Sequence, residues 1–98
     1  MEYELIITVR ASGEVEEAIE YYDRINPKLG TRFLMELSET YRKIATNPQF
    51  YSLVQSTRKS NIRDTKLKSF PYLVIFEVRR KTIMIISLLN IYRKPLSL

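Results

Sequence analysis

The chain contains no cysteine and no histidine. Without cysteine, neither disulfides nor thiolate metal sites can form. Without histidine, the chain lacks the commonest general base and the commonest metal ligand, so any acid–base chemistry must use other groups. We therefore expect no bound metal and no cofactor.

Long apolar runs are absent as well. No apolar stretch approaches the roughly 18 residues that a membrane helix needs, and no basic start leads into an apolar run, so the sequence predicts neither a membrane span nor a signal peptide. A cytoplasmic protein is the expectation. A chain of 98 residues, 45% hydrophobic and 28% charged, is large enough for one globular core, and we expect a single domain over residues 1–98.

Charge is divided unevenly along the chain. The net charge of +5 combines −3 over residues 1–49 with +8 over residues 50–98. An excess of positive charge in one half predicts an acidic or nucleic-acid partner for that half. A solvated basic face without any partner is the other interpretation.

The first half predicts a strand followed by two helices. Residues 3–9 (YELIITV) are rich in β-branched and aromatic side chains, which favours a strand. Ser12 as an N-cap, acidic residues just after it, and apolar residues at helical spacing predict a helix over residues 13–25. Asn26-Pro27 is typical of a new helix start, and Asn47-Pro48 of its end. Helices joined this tightly form an antiparallel hairpin.

The second half predicts a sheet. An irregular connector over residues 50–61 leads to strands at residues 62–69, 72–78 and 82–90. The last of these strands is apolar on both faces, which predicts a central position. The order of elements therefore predicts an α+β fold, with an N-terminal strand, an antiparallel helical hairpin and a three-stranded antiparallel meander.

Basic residues on and around these strands are the candidate catalytic groups. Cations held on a rigid strand can bind phosphates with little ordering cost. Lys66 and Lys68 share one face of their strand, whereas Arg63 has the opposite parity and needs a bulge or a strand end to join them. An arginine could clamp a phosphate, and a lysine crowded by other cations could act as acid or base. The candidate catalytic residues are Arg63, Lys66, Lys68 and Arg93.

Three further residues near the ends of the last two strands are candidate binding residues. Aromatic side chains interleaved with cations often stack on single-stranded RNA. For Tyr72, packing in an apolar strand face is the alternative role. These candidates are Tyr72, Asn90 and Tyr92.

Five short segments carry a resemblance to a known family. They are AIEYY (18–22), PKLGTRFLMEL (27–37), IATNP (44–48), KSFPY (68–72) and RKP (93–95). In this order and spacing the chain resembles the RelE/ParE superfamily, the toxins of type II toxin–antitoxin systems, and is most similar to the ParE-like plasmid-stabilisation branch. The resemblance implies a helical hairpin packed on a twisted, mostly antiparallel sheet.

The resemblance implies two possible activities and one partner. RelE-like members cut messenger RNA in the ribosome, whereas ParE-like members block DNA gyrase without cutting RNA. Both are held inactive by a cognate antitoxin that wraps them with an extended or helical segment. Apolar side chains on the helical hairpin, where the sheet does not cover them, are the expected antitoxin contacts: Leu34, Leu37, Tyr41 and Ile44.

One departure from the family pattern bears on the activity. Many nuclease members place a histidine near the end of the last strand, and the matching position here is Asn90. Because an amide cannot shuttle a proton at neutral pH, a histidine-dependent mechanism is excluded. The resemblance therefore favours gyrase inhibition. Two alternatives stay open, which are a metal-independent mRNA endoribonuclease using lysine and arginine, and an inactive relic that only binds its partner.

Overall fold

The computed structural model describes residues 3–51 and 61–92. Two helices and four strands follow in the order β1 (Glu4–Ile7), α1 (Val9–Ile25), α2 (Pro27–Thr46), β2 (Ile62–Lys66), β3 (Tyr72–Val78) and β4 (Thr82–Asn90), with a short 3-10 turn at Pro48–Phe50 after α2. The predicted α+β fold is confirmed. The predicted connector over residues 50–61 lies largely outside the described residues.

The four strands form one mixed sheet in the order β1-β4-β3-β2. The pairs β2–β3 and β3–β4 are antiparallel, as a meander requires, and β1 lies parallel to β4. The prediction that the last strand is central is therefore confirmed, because β4 has a neighbour on each side. A β-bulge at Ile86 shifts the register, so that Ile85 lies opposite Phe76 while Ser87 lies opposite Ile75.

Both helices pack on one face of this sheet. Burial alternates along β3, so that its even-numbered residues are covered and its odd-numbered residues are partly exposed. The rings of Tyr22, Phe33, Phe70 and Tyr72 meet between the helices and the sheet, with centroid separations of 5.0–6.4 Å. Edge-to-face aromatic contacts of this kind stabilise a core beyond the area they bury.

The start of α1 differs from the prediction. Thr8, not Ser12, caps the helix: its hydroxyl oxygen accepts a hydrogen bond from the Ala11 backbone N–H at 3.1 Å. The same hydroxyl lies 3.0 Å and 3.1 Å from the carbonyl oxygens of Ile85 and Ile86. A contact with β4 therefore ends β1 at Ile7 and begins the helix at Val9, so that the first turn holds no carboxylate.

The helical hairpin closes through a single residue. Asn26 ends α1 by donating its backbone N–H to the Tyr22 carbonyl oxygen at 2.9 Å. Its side chain begins α2 by accepting from the Lys28 backbone N–H, also at 2.9 Å. The predicted bounds of α2 are confirmed. Asn26-Pro27 and Asn47-Pro48 restrict where the helix can begin and end.

The strand β2 is shorter than predicted and ends at Lys66 instead of residue 69. Leu67 is buried and donates its backbone N–H to the Tyr72 carbonyl oxygen at 2.9 Å. This bond closes a turn over the next residues and brings Phe70 into the aromatic core. The strand therefore ends before Leu67, because the turn buries the side chains of Leu67 and Phe70 in the core.

Neighbouring residues of α2 provide a test of this packing. Phe33 is fully buried and Leu34 is 45% exposed. Phe33→Ala should lower the free energy of unfolding by about 3–5 kcal/mol, because it leaves a cavity in the aromatic core. Leu34→Ala should change it by about 0.5 kcal/mol. Urea denaturation followed by circular dichroism measures both, and equal losses would contradict the orientation of α2.

Candidate functional site

Arg63 lies on the helix side of the sheet and is held by the segment after α2. It pairs with Phe76 across β2 and β3. Its guanidinium donates to the Tyr51 carbonyl oxygen at 2.5 Å and to Gln49 Oε1 at 3.0 Å. These bonds tie β2 to the chain that follows α2, so the geometry gives Arg63 a structural contact.

Lys66 and Lys68 are exposed and belong to the other side of β2 and to the turn that follows it. Lys66 lies opposite Leu73, on the sheet face that the helices leave uncovered, and its ammonium donates to the Leu67 carbonyl oxygen at 3.1 Å. The turn with Lys68 is anchored to α2, because Glu36 accepts a hydrogen bond from the Ser69 backbone N–H at 2.8 Å. The sheet thus separates Lys66 from Arg63, and Lys68 lies in the turn beyond the end of β2.

The fourth predicted catalytic residue, Arg93, lies outside the described residues. The three catalytic candidates that the structure describes do not converge on one point. Among the residues that the structure describes, no three side chains of the types that bind metals lie together. An arrangement of cations around a single phosphate is therefore not formed by Arg63, Lys66 and Lys68.

The three predicted binding residues, in contrast, line one groove. Tyr72 lies opposite Asn90 across β3 and β4 and is buried in the aromatic core. The Asn90 side-chain oxygen accepts a hydrogen bond from the Tyr92 backbone N–H at 2.9 Å. That bond holds Tyr92 at the end of the groove, with its side chain 83% exposed.

The groove lies between α1 and the second half of β4, and its volume is about 950 Å³. Its walls are mostly apolar, with Tyr21 and Ile25 on α1 and Ile86 and Leu89 on β4. Sequence reasoning missed it, because Tyr21 and Ile25 look like hairpin residues until α1 is placed beside a strand. The apolar character of both faces of β4 was the one signal that pointed to it.

The predicted antitoxin contacts on the hairpin are mostly covered. Leu37 and Ile44 are buried beneath α2, against the sheet, and Tyr41 is half-buried, so only Leu34 of the four is well exposed. The reason is helical spacing: Leu37 and Ile44 are seven positions apart, about two helical turns, which places both on the core face. The accessible part of this surface is small.

Burial of tyrosines dominates the electrostatics of the core. Desolvation raises the pKa of Tyr41 to about 12, and the nearby Glu14 carboxylate adds to the shift. Desolvation and the neighbouring Tyr72 raise the pKa of Tyr22 to about 12. Both phenols therefore stay neutral in the folded protein well above the pH at which free tyrosine ionises.

The fold and this groove define a class of small α+β proteins, in which a helical hairpin covers one face of a four-stranded sheet. A family model described as the ParE toxin of the type II toxin–antitoxin system parDE matches residues 5–91. The chain belongs to this ParE toxin family, and the family implies an antitoxin partner.

A solved structure and the curated proteins give two further comparisons. A protein of the chromosomal ParDE TA system from P. aeruginosa has the same fold, with a TM-score of 0.76 at 16% sequence identity. The match covers 92% of this chain and 97% of that chain. No curated protein sequence matches the chain. Within residues 3–51 and 61–92, no helix has the length and apolar content needed to cross a membrane.

Arg63 and Lys66 should respond differently to truncation. Arg63→Ala leaves the Tyr51 carbonyl oxygen without its donor, which should lower the free energy of unfolding by about 1–3 kcal/mol. Lys66→Ala removes an exposed side chain and should change it by about 0.5 kcal/mol. Thermal unfolding of both variants measures the difference. An Arg63→Ala variant as stable as the native chain would show that this contact does not stabilise the fold.

The tyrosine pKa values predict a loss of stability at alkaline pH. The unfolded chain loses each phenol proton near pH 10, whereas the folded chain holds those of Tyr22 and Tyr41 to about pH 12. Because the folded state then binds more protons, stability should be complete below pH 10 and fall as the pH rises from 10 towards 12. Tyr41→Phe should make this fall shallower in urea titrations at pH 8–12, and an unchanged slope would exclude Tyr41 as a contributor.

Proposed function

We propose that this ParE-family toxin acts in the cytoplasm by inhibiting DNA gyrase and does not itself cleave RNA. The observation that carries the proposal is the separation of its candidate catalytic groups. RNA cleavage by a 2′-hydroxyl needs a proton acceptor, a proton donor and cations around one phosphate. Arg63 is bonded to the segment that follows α2, Lys66 lies on the opposite sheet face, and the chain has no histidine.

The uncovered face of the sheet supports the same proposal. Leu73, Ile75, Met84 and Leu89 lie on this face and are only partly buried, and Leu89 at the strand edge also lines the groove. An apolar surface of this kind suits contact with another protein, because phosphate groups require cations and hydrogen-bond donors. The acidic side chains of Asp64 and Glu77 share the face with Lys66. Their negative charge lowers the attraction of this face for RNA.

The alternative activity is ribosome-dependent cleavage of mRNA. Its support is the exposure of Lys66 and Lys68 together with the anchoring of the Lys68 turn by Glu36. Held in this way, the two lysines can bind an RNA backbone at little ordering cost. A role in plasmid stabilisation is compatible with either activity, since both stop growth when the antitoxin is lost.

Pulse-labelling of DNA and protein synthesis after induction of the chain alone distinguishes the targets. Under our proposal, DNA synthesis falls first, and the purified chain inhibits supercoiling by gyrase without cutting mRNA on translating ribosomes. Protein synthesis falling first, with cleaved mRNA, would favour the nuclease activity. Normal synthesis of both, from a folded and soluble chain, would identify an inactive relic.

The exposed lysines provide a variant test of the toxic surface. Lys66→Ala combined with Lys68→Ala should weaken growth inhibition at least tenfold in inducer titrations. The reason is that the toxin surface that contacts the target loses two cations. Antitoxin neutralisation should be retained. Lys28→Ala, an exposed lysine at the start of α2, is the matched control. Equal toxicity of all three proteins would exclude Lys66 and Lys68 from the surface that contacts the target.

A further inference from the structure

A small cleft, the α2 cleft, lies where α2 ends and the 3-10 turn at Pro48–Phe50 begins. Its volume is about 290 Å³, close to the lower end of the range of roughly 300–1,000 Å³ that ligand pockets occupy. Cationic, hydroxyl, amide and aromatic side chains line it: Arg42, Lys43, Thr46, Asn47, Phe50 and Tyr51. None of these six residues lines the groove between α1 and β4, so the two surfaces are distinct.

Phe50 presents an exposed aromatic ring on a rigid support. Its side chain is 79% exposed, which leaves a large apolar area in water. The Tyr51 ring contacts it edge to face with centroids 5.4 Å apart, and Tyr51 in turn contacts the buried Phe76 ring at 5.8 Å. Pro48 is fully buried, and the Phe50 backbone N–H donates to the Asn47 carbonyl oxygen at 3.2 Å. Core contacts therefore hold in place a ring that remains accessible to a ligand.

Positive charge is concentrated near this ring. Lys43 is exposed in the last turn of α2, and Arg42 beside it is paired with Glu39. The Arg63 guanidinium donates to a backbone carbonyl and a side-chain amide oxygen of the same turn, and both acceptors are neutral. Its Nε is buried without a hydrogen-bond partner, and no ion pair between described residues includes Arg63. Of these four charged groups three are cations, so this surface attracts an anion.

The end of α2 leaves Lys43 and Asn47 available for such an anion. Carbonyl groups at the end of a helix attract cations, but here other groups bond to them. The Lys43 carbonyl oxygen accepts a hydrogen bond from the Asn47 backbone N–H at 3.0 Å. The Ala45 carbonyl oxygen accepts one from the Tyr3 backbone N–H at 2.9 Å. The Asn47 side chain makes no capping hydrogen bond, so its amide can donate to a ligand in the cleft.

An exposed ring beside cations is the arrangement by which many proteins bind single-stranded nucleic acids. Every base has an aromatic face that can stack on the ring, while the cations contact the backbone. A phosphate needs positive charge and hydrogen-bond donors, and Lys43 and Asn47 supply both. An acidic peptide would use the cations but would leave Phe50 uncovered. The combination of ring and charge therefore favours a nucleic acid over an acidic protein segment.

We propose that the α2 cleft binds a single-stranded nucleic acid, with a base stacked on Phe50 and the neighbouring phosphate held by Lys43 and the Asn47 side chain. Arg63 is a positioning residue, because its hydrogen bonds hold the turn that carries the ring. This inference deepens the proposed function, since gyrase acts on DNA, and rests on it only for DNA as the source of the strand. RNA presents the same chemistry of bases and phosphates, so both polymers belong in the test.

A fluorescent reporter tests base stacking directly. The chain contains no tryptophan, so Phe50→Trp places a single indole in the α2 cleft. Oligothymidylate or oligouridylate titrated into the purified variant should quench its fluorescence. Met35→Trp is the matched control, because Met35 is 67% exposed on α2 but does not line the cleft, and its signal should stay constant. Polyglutamate carries charge without bases. Equal quenching by polyglutamate, or no quenching by either oligonucleotide, would overturn the proposal.

Fluorescence anisotropy of labelled oligonucleotides measures the contribution of each group. Phe50→Leu keeps an apolar side chain but removes the ring, and it should weaken binding about fivefold or more, whereas Phe50→Tyr should bind like the native chain. Lys43→Ala should weaken binding about fivefold, and Lys28→Ala, an exposed lysine at the other end of α2, less than about twofold. Circular dichroism verifies folding. Equal losses for the two lysine variants would show that only net charge attracts the strand, and would overturn a site at the cleft.

Comparison of the two polymers identifies the source of the strand and separates this inference from the proposed function. Tighter binding of oligothymidylate would indicate DNA, and Phe50→Leu should then also weaken inhibition of supercoiling by gyrase. Tighter binding of oligouridylate would indicate RNA and favour the mRNA activity. A native chain that inhibits gyrase but binds neither polymer would end this inference while the proposed function stands. Binding of oligothymidylate through Phe50 without inhibition of gyrase would retain the site and end the proposed function.

Discussion

The central strand β4 is the constraint on which the rest of this structure depends. It pairs with the N-terminal strand on one side and with β3 on the other, joining the two ends of the described chain. Its carbonyl groups at Ile85 and Ile86 position the Thr8 hydroxyl, which in turn caps α1. One strand thereby determines where β1 ends, where the helical hairpin begins and which face of α1 meets the sheet.

The bulge at Ile86 gives β4 two different halves. Before the bulge the strand has neighbours on both sides, and its residues Ile83 and Ile85 are fully buried beneath the helices. Beyond it, side chains from α1 replace β1 at the strand edge, and the groove opens between them. A change of register in one strand thus places a rigid core next to an accessible apolar surface.

Local signals predicted the elements whose ends are determined by nearby residues. The bounds of α2 follow from Asn26-Pro27 and Asn47-Pro48, and these act through the backbone geometry of adjacent residues. The start of α1 could not be predicted in this way. It depends on a contact between Thr8 and a strand 77 residues further along the chain, which no periodicity reveals.

The candidate site also depends on contacts between distant segments, which local sequence patterns do not predict. Strand parity correctly separated Arg63 from the face of Lys66, but it gave no indication that the guanidinium would bond to the Tyr51 carbonyl oxygen. The burial of Leu37 and Ile44 follows from helical spacing once the core face of α2 is known. The groove depends on how α1 lies beside β4, so neither segment alone predicts it.

The distribution of polar groups supports the proposal that this toxin acts by binding its target. A nuclease must bring donors and acceptors of protons to one phosphate, which requires polar side chains free of structural contacts. In the part of the chain described here, Arg63, Glu14 and Glu36 each hold backbone groups of a distant segment in place. The open surfaces, in contrast, are the apolar groove and the uncovered sheet face. Recognition of other proteins requires surfaces of this kind, and members of the ParE toxin family have an antitoxin to recognise.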